Sequence, residues 1–336
     1  MDSLTQIVLG AAVGETVLGN KVGNKALLYG AIAGTIPDLD VLARSFTDTI
    51  TATEIHRGFS HSILFCVLFA PVFGFVVDRI ESSKRIGWKS WSWLFFWGLI
   101  THPILDMFTT WGTQFFWPFD KAVAWNTIFV IDPLYTLPFL VCTLVVLFLK
   151  KGSLSRKRTN LTGIFISTSY LLMTVLLKWN ATQEFKKALD VNKFNYSQIS
   201  TRPAPLTTLL WNCNVDAGDA YLLADYSFFD SKPISFKSYP KNRNLEPTWK
   251  HEQSEENLRR LIDISKGWYL MEKKNGSWYF NDLRFGTMPI NKDEEQFVFS
   301  YKLKEENKTL VAKENPKEPM DVTIVMDKLW NRIWGN

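Results

Sequence analysis

Residues 56–77 read HRGFSHSILFCVLFAPVFGFVV, a polar segment followed at once by an apolar run. The polar part holds His56 and His61, two of the four histidines in the chain. Ionisable groups in or beside apolar membrane segments are energetically costly, and they are typical of functional sites. The stretch therefore predicts a helical membrane protein with a candidate site at the end of one apolar segment.

Two further stretches have the same chemistry and the same setting. Residues 101–106 read THPILD near the end of a second apolar segment, and residues 37–40 read PDLD near the end of an earlier one. If these segment ends lie on one side of a membrane, three histidines and three aspartates converge. Imidazoles and carboxylates are ligands of zinc and similar ions, so the pattern predicts a metal site.

The composition changes near the middle of the chain. Of its 336 residues, 46% are hydrophobic and 15% are aromatic, which is rich for a soluble protein. Apolar runs with few charges occupy residues 1–179, whereas residues 180–336 are charged. We therefore expect an α-helical multi-pass membrane domain over residues 1–179, followed by a soluble domain of mixed, mostly β structure over residues 180–336.

The second half carries strand and turn signals. Residues 221–229 and 296–303 are rich in aromatic and β-branched side chains, and Asn275-Gly276 is a hairpin-turn signal. Residues 252–262 favour an exposed helix.

The membrane half contains a series of apolar segments. They cover residues 4–18, 26–36, 63–77, 91–108, 128–149 and 161–177. The first is short and contains polar side chains, so a re-entrant or interfacial helix fits it as well as a span. In the second, Gly30 and Gly34 permit close packing against another helix.

The positions of basic residues predict the topology. Lysines and arginines cluster in the loops 79–89 and 150–158, which two apolar segments separate. Both loops can therefore lie in the cytoplasm, as the positive-inside rule requires. The domain after residue 179 is then extracytoplasmic, and the histidine and aspartate stretches lie at the outer ends of helices in the cell (inner) membrane.

Charge and cysteine content narrow the function classes. The formal net charge is +5, and the basic residues form no single face, so the expected partner is the lipid bilayer and not nucleic acid. Three cysteines give no disulfide framework. Met1-Asp2-Ser3 lacks the basic region of a secretory signal peptide, so we expect the first apolar stretch to be retained.

A structural role is the alternative to a metal site. His102 and Asp106 are four residues apart, which places them on one helix face, where they can pair and steady a bundle. His56 and His61 would then reach towards the membrane interface. An aspartate at mid-helix costs about 2.5 to 3.5 kcal/mol on insertion scales, which favours function over structure.

Six motifs give the membrane half a family resemblance. They are DSLT (2–5), KVGNKA (21–26), PDLD (37–40), HRGFSHS (56–62), HPILD (102–106) and IDPLY (131–135). Together they resemble the YdjM-like family of inner-membrane proteins, described as metal-dependent hydrolases. Residues 282–286 (DLRFG) also resemble a motif of that family's C-terminal domain. The resemblance implies a membrane-embedded metal site, but Gln6 stands where many relatives carry a histidine, which implies one imidazole fewer here.

These observations predict a membrane-bound metal-dependent hydrolase of a phosphoester or lipid-linked substrate. The predicted ligands of one or two divalent ions, with zinc favoured, are Asp38, His56, His61, His102 and Asp106. Asp40, or else Asp38, is the expected general base, and Arg57 would neutralise an anionic leaving group. There are two alternatives. One is a non-enzymatic scaffold with a structural cluster. The other is a transporter, although a transporter needs polar residues near mid-membrane, whereas these lie at the ends of the segments.

Overall fold

A computed structural model describes residues 1–82, 85–119, 122–249, 251–289, 295–316 and 321–336. The first gap falls in the predicted loop 79–89, and the second lies between the predicted apolar segments 91–108 and 128–149. The chain forms two compact units. The first contains Met1–Ala43, Ile55–Leu176 and Pro205–Thr208, and the second contains Arg44–Glu54, Leu177–Ala204 and Leu209–Asn336.

The first half of the chain is helical, as the apolar segments predict. The helices are α1 (Ser3–Val22), α2 (Asn24–Thr35), α3 (Thr49–Ile55), α4 (Ile63–Ile80), α5 (Trp88–Asp106), α6 (Pro133–Phe148) and α7 (Leu154–Val191). Short 3-10 helices cover Ile36–Ser45 and Phe59–His61. Among the described residues, Asn24–Ser45, Ile63–Ile80 and Leu154–Val191 are long and apolar enough to cross a membrane, and α6 is a shorter apolar helix.

Polar residues at the segment ends determine where several helices begin. Asp2 accepts a hydrogen bond from the Thr5 backbone N–H at the start of α1, and Ser62 accepts one from Phe65 at the start of α4. Asp132 does the same for α6, which has Pro133 in its first turn. Such caps satisfy N–H groups that have no partner within the helix. One function of the polar residues beside the apolar runs is therefore to start the helices.

Glycines bring α1 and α2 into backbone contact. A Cβ atom on Gly14 would lie 2.2 Å from the Ala26 carbonyl oxygen, and one on Gly34 would lie 2.5 Å from that of Gln6. The packing predicted from Gly30 and Gly34 is thus present, and α1 is the partner helix. The end of α2 consequently lies beside the start of α1.

Helix α5 packs against both α4 and α2. Its fully buried Trp91, Leu94 and Leu99 belong to the core of the first unit. A Cβ atom on Gly98 would lie 2.6 Å from the Ala33 side chain of α2, so this part of α5 lies close to α2. The last turn of α5 is thereby brought next to the end of α2.

The second unit is mostly β structure, which confirms the predicted fold class. One antiparallel sheet contains β1 (Gln198–Pro203), β2 (Leu210–Asp216), β3 (Ala220–Ser227) and β4 (Lys237–Pro240) in that order. The other contains β5 (Tyr269–Lys274), β6 (Ser277–Pro289), β7 (Glu295–Glu306) and β8 (Thr309–Glu314). Helices α8 (Glu252–Ile264) and α9 (Val322–Ile333) complete it. The predicted Asn275-Gly276 turn joins β5 to β6, with both residues at positive φ.

Residues 44–54 belong to the second unit although they interrupt the membrane half. Ile50 is buried in a core with Leu261 and Tyr269. Arg260 donates hydrogen bonds of 2.9 and 2.6 Å to the Glu54 carboxylate. A buried apolar side chain and a two-point ion pair therefore hold α3 in this unit.

Candidate metal centre

Four side chains form a compact group in the first unit. Nε2 of His61 and Nε2 of His102 lie 3.1 Å apart. Asp38 Oδ1 lies 3.5 Å from the former and 3.4 Å from the latter. Asp106 Oδ2 lies 3.6 and 3.7 Å from the same two atoms. His61, His102 and Asp106 are fully buried, whereas the Asp38 side chain is 22% exposed.

Three ends of helical elements bring these side chains together. Asp38 lies in the 3-10 helix that continues α2, and His61 ends the short 3-10 helix before α4. His102 and Asp106 occupy the last turn of α5 at the predicted spacing of four residues. The convergence expected from the sequence is therefore present for four of the six side chains.

The spacing fits a tetrahedral metal ion. Zinc bonds of about 2.0 to 2.2 Å to nitrogen and oxygen place neighbouring ligand atoms about 3.3 to 3.6 Å apart. Five of the six distances within the group run from 3.1 to 3.7 Å, and all four ligand atoms lie within 4.8 Å of one another. In addition, Asp106 Oδ2 is buried and accepts no hydrogen bond. The group is compatible with metal binding, and its geometry leaves the identity of the metal open.

Hydrogen bonds on the far side of each imidazole determine which nitrogen faces the group. Nδ1 of His102 lies 2.6 Å from the Gly34 carbonyl oxygen, which only accepts, so Nδ1 carries the proton. Nδ1 of His61 lies 3.2 Å from Asp40 Oδ2. Nδ1 of His61 also lies 3.0 Å from Ser60 Oγ. With a proton on each Nδ1, both Nε2 atoms present lone pairs to the group, the arrangement common for metal-bound histidines. Two such lone pairs at 3.1 Å repel each other unless a metal cation lies between them or one of the two nitrogens carries a proton.

Asp40 is a hydrogen-bond acceptor at the edge of the group. Its carboxylate accepts from the Arg57 backbone N–H at 2.9 Å and from Ser60 Oγ at 2.8 Å. It also lies 2.8 Å from His56 Nδ1. These contacts suit a carboxylate that orients His61. Its role as a general base remains a prediction.

His56 lies outside the group of four. Its Nδ1 bonds Asp40, and its ring stands edge-on to His61, with the ring centroids 6.1 Å apart. The ring also stands edge-on to Trp111, at 5.9 Å between centroids. The structure thus places His56 one contact away from His61, and its role as a ligand remains a prediction.

Arg57 is buried beside the group in a left-handed backbone conformation, with a φ of 63°. Its Nη1 donates to Thr109 Oγ1 at 2.9 Å, and its Nε lies 3.2 Å from Asp106 Oδ2. The positive charge therefore lies next to a predicted ligand. Its action on a leaving group remains a prediction.

Two further contacts involve Asp106. Gln6 Nε2 donates to Asp106 Oδ1 at 2.9 Å, while its Oε1 is buried without a hydrogen-bond partner. The amino group of Met1 also contacts Asp106 Oδ1. In the sequence, only the family resemblance points to Gln6. No motif points to Thr109, which follows Asp106 by three residues and donates from Oγ1 to its carbonyl oxygen at 2.8 Å.

Comparisons with known proteins agree with this description. Residues 1–181 match the model of the YdjM inner membrane protein family. The chain is 30% identical over 141 residues to the uncharacterized protein YfhP of Bacillus subtilis, which is 40% of this chain and 42% of YfhP. It is 33% identical over 109 residues to the inner membrane protein YbcI of Escherichia coli, which is 32% of this chain and 57% of YbcI. The matches thus span about half the length of these relatives.

No solved structure shows significant similarity to the chain. The family match covers the four grouped side chains and more than half of the sequence. With its apolar helices and its buried histidine and aspartate group, the chain belongs to the YdjM family of inner membrane proteins.

Proposed function

We propose that this protein is a metal-dependent hydrolase that acts on a membrane-proximal substrate, a phosphoester or a lipid-linked ester. The observation that carries the proposal is the pair of imidazole Nε2 atoms at 3.1 Å, flanked by two carboxylates. A divalent cation bound between these two nitrogens would satisfy both lone pairs at once. We propose zinc as the ion, because two imidazole nitrogens and two carboxylate oxygens are donor types that zinc takes.

The chain's own residues supply the support that such a site needs. When bound, a divalent ion supplies Lewis acidity and lowers the pKa of a coordinated water to about 7. Gly34 and Asp40 hold the two imidazoles in the required tautomer. Arg57 keeps a positive charge beside Asp106, where it can face an anionic group.

In this proposal, substrate reaches the site from the side on which Asp38 lies. Asp38 is the one member of the group whose side chain is partly exposed, whereas the other three are fully buried. Catalytic zinc sites keep one position open, while structural sites are closed by four protein ligands. A catalytic site here therefore requires Asp38 to give up its position to water or substrate.

Proton transfer involves the network around Asp40. Its Oδ2 accepts from Ser60 Oγ, which lies 3.0 Å from His61 Nδ1. For Asp40 to act as a general base, one of these bonds has to be exchanged for a bond to water. In that case, Asp40 serves both to orient His61 and to receive a proton.

The test combines metal content with turnover. The full chain, purified in detergent, is analysed for bound metal and assayed on phosphoesters and phospholipids with and without chelator. We expect one metal ion per chain and turnover that chelator abolishes. His102→Ala and Asp106→Ala should lose both, whereas His251→Ala, a histidine bonded to Glu305 in the second unit, should keep both.

A structural metal site is the second candidate, because the four side chains already make a closed set. Asp38→Asn distinguishes the two. A catalytic site with Asp38 at its open position retains the metal in this variant and changes its turnover. A structural site loses metal and stability together, and stoichiometric metal without chelator-sensitive turnover on any ester contradicts the hydrolase proposal.

A further inference from the structure

Helix α9 carries an exposed row of apolar side chains. Val322, Met326, Trp330 and Trp334 are 69%, 43%, 60% and 53% exposed. Successive members are four residues apart, so they follow one another along one face of the helix and past its end. We call these four side chains the α9 stripe.

A different face of the same helix attaches it to the second unit. Ile333 is buried with Ala204 and Leu210. Arg332 forms an ion pair of 2.6 Å with Asp230, and Ser227 Oγ donates to the Ile333 carbonyl oxygen. Helix α9 is thus fixed in place through contacts that do not use the stripe.

The stripe is extended by a neighbouring aromatic ring. The ring centroid of Phe229, itself an exposed side chain, lies 5.1 Å from that of Trp334, which in turn stands 5.5 Å from that of Trp330. Contiguous exposed apolar surface of this kind marks an interaction site with a protein or a membrane. The composition of this surface indicates whether its partner is a protein or a membrane.

The occupant that fits best is the lipid bilayer. Tryptophan prefers the level of the lipid headgroups, where its ring is half in apolar and half in polar surroundings. The chain itself also links the second unit to a bilayer. Helix α7 is a candidate membrane span, and its last residues belong to the second unit. We propose that α9 is an interfacial helix, and that the α9 stripe and Phe229 seat the second unit on the membrane surface.

The charges of α9 predict how this contact depends on lipid. The N-cap Asp321 and Asp327 offset Lys328 and Arg332, so the helix carries no net positive charge. Binding then rests on apolar contact and not on attraction to anionic headgroups. The contact should form equally well on a purely zwitterionic bilayer.

The test measures the membrane depth of single positions in the full chain. A nitroxide label is placed by Val322→Cys or Met326→Cys on the stripe, and by Thr323→Cys or Asp327→Cys one residue further on as matched controls. The half-buried Cys142 is first replaced by serine. The protein is reconstituted in phosphatidylcholine nanodiscs, and label collisions with oxygen and with water-soluble nickel chelate are compared.

We expect oxygen to dominate at positions 322 and 326, at about 5 to 10 Å below the phosphates, and the nickel chelate to dominate at 323 and 327. Replacing Trp330 and Trp334 by serine in the Met326→Cys background should reverse the preference at 326. Nickel access at 326 equal to that at 327 would overturn the proposal. So would shielding of 326 from both reagents, the signature of a second copy or a protein partner, or a preference that requires anionic lipid.

Discussion

Asp38 and Asp40 are two residues apart, yet they contact opposite sides of the same imidazole. Asp38 Oδ1 lies 3.5 Å from His61 Nε2, whereas Asp40 Oδ2 lies 3.2 Å from His61 Nδ1. The 3-10 helix that carries them has three residues per turn, so its positions i and i+2 face different directions. The same residue type thus serves once in the group of four and once as a support for it.

Loss of the Asp40 carboxylate should therefore weaken metal binding without abolishing it. We expect Asp40→Asn to reduce zinc affinity about 10- to 100-fold at unchanged stoichiometry, because an amide cannot accept from every donor that Asp40 now satisfies. A zinc competition titration measures the effect, with Asp78→Asn at the other end of α4 as the control. Complete loss of the metal would instead make Asp40 a ligand, and unchanged affinity would remove its orienting role.

His56 and His61 can be distinguished in the same assay. His56 bonds Asp40 and lies outside the group of four, so His56→Ala should retain one zinc ion per chain. His61→Ala should lose it, because Nε2 of His61 is within 3.6 Å of three other members. Equal loss of zinc in both variants would show that His56 is a ligand, as the sequence predicts.

At the scale of elements, a buried ion pair joins α1 to α7. Arg156 donates to the two carboxylate oxygens of Glu15 at 2.7 and 2.6 Å. Its Nη1 also donates to the carbonyl oxygens of Val146 and Leu149, at 2.9 and 3.0 Å, where α6 ends. One guanidinium therefore satisfies a buried charge and closes the end of a neighbouring helix.

Breaking this pair on one side should cost more than removing it altogether. Arg156→Met leaves Glu15 buried without its partner, and we expect a loss of about 3 to 5 kcal/mol in the free energy of unfolding. The double variant with Glu15→Gln should recover part of that loss. Thermal unfolding in detergent measures both, and a double variant no more stable than Arg156→Met would contradict the role of the buried charge.

At the scale of the whole molecule, the sequence predicts the architecture because its signals are local. Apolar runs define the helices, and Asn275-Gly276 defines a hairpin that the structure contains. The position of α3 has no such signal, since Ile50 is buried by Leu261 and Tyr269, which lie more than 200 residues further along the chain.

The candidate site shows the same limit. Six polar side chains can be selected from the sequence, because they stand at the ends of apolar segments. The group of four depends on which way each imidazole turns, and that follows from tertiary contacts. The Gly34 carbonyl group contacts Nδ1 of His102 and the Asp40 carboxylate contacts Nδ1 of His61, and these contacts orient the two rings.

The side of the membrane on which the second unit lies can be predicted from charge alone. The loops 79–89 and 150–158 carry the basic clusters of the membrane half, and the positive-inside rule assigns both to the cytoplasm. Helix α7 follows the second loop and contains an apolar window long enough to cross the membrane. One crossing after a cytoplasmic loop would place the chain after α7 on the outer side.

Reporter fusions in Escherichia coli test this orientation. Alkaline phosphatase fused after Asn336 should be active, and green fluorescent protein at the same point should be dark, because the first folds only outside the cytoplasm and the second only inside. Fusions after Lys151, between α6 and α7, should give the opposite pair of signals. A fluorescent fusion after Asn336 would put the second unit in the cytoplasm, and it would move the proposed metal centre and its substrate to the inner side as well.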